Sequence, residues 1–277
     1  MSALSATFDE VAKLPAFVRR DFLIAVSYRT AFAGDLVLLG AQLLVFSFIG
    51  RLVDPAQLPA YGGTQSTYME FVAIGIALSL VTGLMIGRVA TAIRQEQLQG
   101  TLESLLATPT AVATVQFGTV AFDLLWVPIR IGLFVLAIVL TFGLELEVAG
   151  LPQTLVLLVA FLPFVWGLGL LSAAATLAFR RGGGVTALVV SFLGIASGAY
   201  FPLTLLPGWL QTASEANPLA VALEGMRESL LGGIGWDAIA ADVLVLTPLS
   251  AAVLAAGILT FRLAYARERR NGTLGLY

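Results

Sequence analysis

Apolar residues fill this chain in long blocks, at about 31–53, 68–93, 111–142, 151–179, 185–201 and 239–263. Polar segments bearing Pro and Gly separate them. A helix needs about 20 apolar residues to cross a bilayer. The block at 185–201 is short for a full crossing and the others are long enough. The pattern predicts an all-α polytopic membrane protein with six transmembrane helices, forming one domain over 1–277. The block at 111–142 exceeds one crossing, so it should tilt, extend beyond the bilayer or bend near Pro128. The next long block carries Pro163, and Arg180 to Gly184 reads as a tight basic turn before the fifth span.

Three segments depart from the block pattern. Residues 94–109 read RQEQLQGTLESLLATP, the most polar continuous stretch in the middle of the chain. Leu98, Leu102, Leu105 and Leu106 recur at helical spacing, while Arg94, Glu96, Gln99 and Glu103 fall largely on other faces. Thr101 is a possible N-cap, and Pro109 interrupts the helix. A short amphipathic helix at 94–108 is expected. Residues 8–29 mix Phe17, Phe22, Ile24 and Tyr28 with Lys13, Arg19, Arg20 and Arg29. That suits a helix lying in the membrane interface, with a solvated tail as the alternative. Residues 202–232 are half apolar and punctuated by Pro202, Pro207 and Pro218. Two short helices dipping into the outer leaflet fit that stretch, since irregular backbone at membrane depth needs protein or water around it.

Composition agrees with a membrane protein: 58% of residues are hydrophobic and 12% charged, with a mean hydropathy of +0.94. A net charge of −2 argues against nucleic acid as a partner. No signal-peptide pattern is found in the first 30 residues, so the amino terminus is expected to be retained. With six spans both termini share a side. Placing them in the cytoplasm puts Lys13, Arg19, Arg20, Arg29, Arg88, Arg94, Arg180, Arg181, Arg262, Arg267, Arg269 and Arg270 inside. Only Arg51 and Arg227 then fall outside, with Arg130 within a span.

There is no cysteine and no histidine, which excludes disulfides, thiolate sites, His bases and the usual zinc ligands. A phosphate-cradling P-loop needs a lysine after its glycines, and the sole lysine, Lys13, has no glycine context. Asp123 and Arg130 stand seven residues apart on one helix face, too far for an adjacent-turn pair. Each is costly at mid-bilayer and should face protein or water, in a substrate path or an interhelix pair. Gly83 and Gly87 form a small-residue spacing suited to close helix approach. Phe46, Phe192, Tyr200 and Phe201 either line a path for amphipathic molecules or pack against helices and lipid.

Two stretches carry a family resemblance. EQLQGTLESLLATP, residues 96–109, resembles the coupling segment of type-2 ATP-binding-cassette exporter permeases. SGAYFPLTLLPGWLQTASEANPL, residues 197–219, resembles that family's second signature: a proline after the fifth span, a P-x-W-L-type turn, and N-P before an external helix. Here those positions are Pro202, Pro207, Trp209, Asn217 and Pro218. The resemblance extends over essentially the whole chain, with the drug- and polysaccharide-exporter branch the nearest in flavour.

The resemblance implies a non-catalytic permease subunit that moves an amphipathic drug, lipid or glycan-like substrate outward. It implies a separate ATPase subunit, which would hold ATP and Mg, and a second permease, identical in the simplest arrangement. Glu96, Gly100, Thr101, Leu102, Glu103, Leu105, Leu106 and Pro109 match the coupling motif and would dock on that ATPase; otherwise the segment rests on lipid headgroups. A bacterial or archaeal plasma membrane, with lipid around the spans, is the expected location. Two other classes remain: an ion-coupled secondary transporter using Asp35, Asp123 or Arg130, and a membrane enzyme acting on lipid-linked substrates.

Overall fold

The structure is a computed structural model that describes residues 12–27, 40–41, 44–98, 118, 121–122, 126, 129, 132–133, 135–144, 146–179 and 182–271. Helix α1 spans Leu14–Ser27. Its Phe22 meets Phe122 edge-on at 6.3 Å, so α1 lies against the start of the third block. Leu23 and Ile24 stay exposed beside Arg19, the mixture expected of an interfacial helix.

Helical backbone at 44–50 leads to a small hairpin, β1 (Ala60–Tyr61) and β2 (Thr64–Gln65). Ala60 pairs with Gln65 and Tyr61 with Thr64. The two-residue turn needs left-handed backbone at both positions, which Gly62 (φ +57°) and Gly63 (φ +79°) supply. Helix α2, Tyr68–Leu98, starts from a capping box. The Glu70 amide donates to Thr67 Oγ1 at 3.3 Å, and the Thr67 amide donates to Glu70 Oε2 at 2.7 Å.

Helix α3 is Leu151–Phe179, with Pro163 inside it. Helix α4 is Gly182–Ile195. Two short helices follow, α5 (Gly208–Glu215) and α6 (Pro218–Leu231). Helix α7, Trp236–Asn271, is the longest. It runs past the apolar block because Ala264, Ala266, Arg267 and Glu268 are good helix formers and a charged last turn is tolerated outside a membrane.

Three helices are long and apolar enough to cross a membrane: Tyr68–Val89, Val148–Ala178 and Trp236–Glu268. Their shared cores show how they run. At one end Ile74 and Leu78 of α2 pack with Leu157 and Phe161 of α3 and Ile239 and Leu246 of α7. Toward the other end Val89 packs with Leu170, Ala173 and Phe261. The three helices are therefore parallel, and the chain must return between them at 99–147 and again at 180–235. The first span is the centre of the bundle, with 67% of its window buried against 17% for the last. Helices α3 and α7 come into backbone contact where Gly167 faces Gly257. A Cβ on Gly167 would lie 2.6 Å from the Leu254 nitrogen, and one on Gly257 would lie 3.0 Å from the Gly167 Cα.

Two expectations are corrected here. Gly182 to Gly184 belong to α4 and are not a turn. The fifth helix also stops at Ile195, short of 201. Its 14 residues span about 21 Å, against a hydrocarbon thickness of about 30 Å. The helix stops because residues 196–202 leave helical geometry, with Gly198 at φ +71°, and their carbonyls find partners elsewhere.

Candidate functional site

Ending a helix early exposes carbonyls that no helical amide can reach. At the end of α4 other elements supply the donors. Asn217 Nδ2 donates to Leu193 O at 3.2 Å, and Ser197 Oγ donates to Gly194 O at 2.8 Å. The Gly198 amide takes Ile195 O at 3.4 Å. Ser214 Oγ, on α5, donates to Ala196 O at 2.7 Å. Arg227 Nη2, on α6, donates to Gly198 O at 3.0 Å and to Ala199 O at 3.3 Å. Tyr68 Oη, on α2, donates to Tyr200 O at 3.1 Å. The unwound end of α4 thus sits in a cradle built by α5, α6 and the start of α2.

Arg227 is the centre of that cradle. Its side chain is 2% exposed. Nε and Nη2 both donate to Phe71 O on α2, at 3.1 and 3.0 Å. The guanidinium carbon lies 3.5 Å from the Phe71 ring centroid. Its carboxylate partner is Glu224, one turn away on α6, at 3.6 Å and half exposed. Tyr61 Oη, from the hairpin, donates to both Glu224 oxygens at 3.0 and 3.2 Å. Burial lowers the Arg227 pKa, and the negative field of Glu224 and the Tyr61 hydroxyl oppose that. Burial raises the Tyr61 pKa, and the Glu224 charge raises it further. A guanidinium remains charged in proteins, so this site holds a fixed cation against three backbone carbonyls.

Local sequence explains the placement. Asn217 caps α6, its side chain accepting from the Leu219 amide at 3.0 Å, with Pro218 at the first helical position. That fixes the start of α6, and Leu219, Leu223 and Leu230 bury one face of it. Arg227 falls within the same stripe. Gly75 of α2 lets the Ala199 carbonyl approach closely, since a Cβ there would lie 2.8 Å from the Ala199 carbonyl carbon.

The residues expected from sequence are distributed unevenly about this cradle. Asn217, Pro218 and the buried Pro202 belong to it; Pro207 precedes α5 and Trp209 is exposed. Tyr200 stacks on Phe46 at 5.5 Å with ring planes 7° apart, which brings two of the path candidates together. Phe192 and Phe201 are exposed. Glu96 lies in the last turn of α2. Gly100, Thr101, Leu102, Glu103, Leu105, Leu106, Pro109, Asp123 and Arg130 lie outside the described residues. A Cβ at Gly83 or Gly87 would meet nothing of this chain within 4 Å, so that spacing packs no helix pair among the described residues.

Arg227 corrects the sequence reading that set it among the few external bases. It is buried because its carbonyl partners arrive from two other elements. The signal that points to it is an arginine within the apolar stripe of an amphipathic helix. Tyr61, Tyr68 and Ser214 carried no comparable signal.

Parallel apolar spans and a broken helix held by buried polar side chains define a polytopic helical membrane protein with transporter-like architecture. The sequence matches the ABC-2 type transporter family over residues 13–231, and the chain belongs to that family. It is a membrane permease component of an ABC transporter, a role that implies partnership with an ABC ATPase subunit. No curated protein matches it.

Proposed function

We propose that this chain is the transmembrane half of an ATP-driven exporter, moving an amphipathic substrate out of the cytoplasm or inner leaflet. The observation that carries the reading is the continuity of α2. One helix of 31 residues, about 46 Å long, connects the polar segment at 94–108 with the cradle at the end of α4. An ATPase docked on Leu102, Leu105 and Leu106, oriented by Glu96 and Glu103, would push on one end of a stiff rod. The other end carries Tyr68 and the Phe71 carbonyl, both bonded into the cradle. The chemistry of ATP and Mg belongs to the docked subunit.

Three parallel spans with two returns, plus the block at 31–53, support six crossings with both termini in the cytoplasm. Lys13, Arg19, Arg88, Arg262 and Arg267 gather at the end where those spans finish, as cytoplasmic residues of a plasma-membrane protein do. Helix α4 supports a second, identical permease, because Leu188, Val189, Phe192 and Ile195 form an exposed apolar face. An ion-coupled carrier would use carbonyls at a broken helix to hold its ion. The carbonyls at the end of α4 hold the Arg227 guanidinium instead.

The test is docking. Leu102→Asp with Leu105→Asp should abolish co-purification of the ATPase while leaving the permease folded and in the membrane. Unchanged association of the doubly substituted protein would sink the assignment of 94–108.

A further inference from the structure

Arg227 is more than a satisfied buried group. Replacing a buried ion pair with well-packed apolar residues is often neutral or stabilising, so stability alone does not account for a guanidinium here. Its donors reach α2 at Phe71 O and the unwound end of α4 at Gly198 O and Ala199 O, while its own helix is α6. The other contacts among these elements include apolar ones such as Ile74, Leu223, Met226 and Ala199, which are non-directional. A planar fork on three carbonyls is directional and holds one register.

We propose that Arg227 is a positioning residue for transport: its guanidinium clamps the start of α2 to the end of α4, so that movement of α2 is delivered to the fifth span and not lost by slippage. This deepens the permease reading and rests on it for the movement, but the clamp itself rests on the geometry alone. Lysine carries the charge without the fork and cannot bridge all three carbonyls. Tyr68 is the accessory donor, holding the next carbonyl in line from α2.

The chain has no cysteine, so Ala199→Cys introduces a single thiol at a position 1% exposed. Membranes carrying this protein with its co-expressed ATPase are labelled with a membrane-impermeant maleimide, with and without ATP and vanadate. With Arg227 in place, labelling should be slow and should change when nucleotide is added. Arg227→Lys should raise basal labelling by about tenfold or more, the factor for losing one hydrogen bond to a charged group, and abolish the nucleotide response while the ATPase still co-purifies. Tyr68→Phe leaves the charge in place and should shift labelling the same way by a smaller factor, which keeps the test readable if Arg227→Lys does not fold.

Basal labelling and nucleotide response that match the parent in both variants overturn the proposal. So does a pair of variants that both fail to assemble, which makes these residues folding determinants only. If no ATPase associates even with the parent, the permease reading fails separately and the basal arm decides: raised labelling supports the clamp and unchanged labelling overturns it.

Discussion

One amide at Asn217 does two jobs, and substitution can separate them. Its Oδ1 caps α6 by accepting from the Leu219 amide, and its Nδ2 ties α6 to α4 by donating to Leu193 O. Asn217→Ala removes both. Losing the cap costs about 1 kcal/mol, and leaving a buried carbonyl short of a donor costs about 1–3 kcal/mol. The sum is about 2–4 kcal/mol. Asn217→Asp keeps an acceptor for the cap, and its charge suits a helix N-terminus. It still loses the donor to Leu193 O and sets a carboxylate oxygen beside that carbonyl, at a position only 5% exposed. Thermal unfolding in nanodiscs, followed by tryptophan fluorescence, reads the difference at about 2–4 °C per kcal/mol. Alanine should lower the midpoint most and aspartate by an intermediate amount. An aspartate variant as stable as the parent would show that the Asn217 amide does not hold α4, and the cradle would lose one of its supports.

Gly167→Val should destabilise by more than about 1–3 kcal/mol, because its Cβ meets the backbone of Val253 and Leu254 on α7; Gly83→Ala, with nothing near, should stay within about 0.5 kcal/mol in the same melts. Glu228 has a raised pKa because burial disfavours its charge and the charges of Glu224 and Asp242 repel it. The folded state therefore prefers the protonated form, and the cost of ionising Glu228 grows as pH rises from the ordinary value through the raised one. Glu228→Gln should raise the unfolding midpoint at neutral pH and match the parent below about pH 4. Equal midpoints at both pH values would contradict the burial of this carboxyl.

How far the sequence reaches can be seen element by element. The helix at Leu151–Phe179 covers the same residues as its apolar block, because a long apolar run has one stable form in a bilayer. The break at 202 and the caps at Pro207 and Asn217-Pro218 were legible from turn chemistry that acts within a few residues. The end of the fifth helix was not. Residues 196–201 are as apolar as those before them, and they unwind because Ser214, Arg227 and Tyr68 take their carbonyls. Those donors lie in other elements, so no window of sequence contains them. Arg227 was misplaced for the same reason: charge alone suggests exposure, and only the meeting of α2, α4 and α6 shows what a buried guanidinium can bond to. The polar segment at 94–109 stood out by contrast with its apolar flanks, yet its proposed partner is another chain.

The central claim is that a separate ATPase drives this permease through the segment that follows α2. The most direct measurement is ATP hydrolysis by the complex purified through the permease and reconstituted in nanodiscs, with the parent and the Leu102→Asp, Leu105→Asp variant side by side. The account predicts that an ATPase bearing a P-loop lysine co-purifies with the parent and hydrolyses ATP, and that both the subunit and the activity are absent from the variant. A permease that purifies without an ATPase and moves its substrate under an ion gradient alone would contradict it.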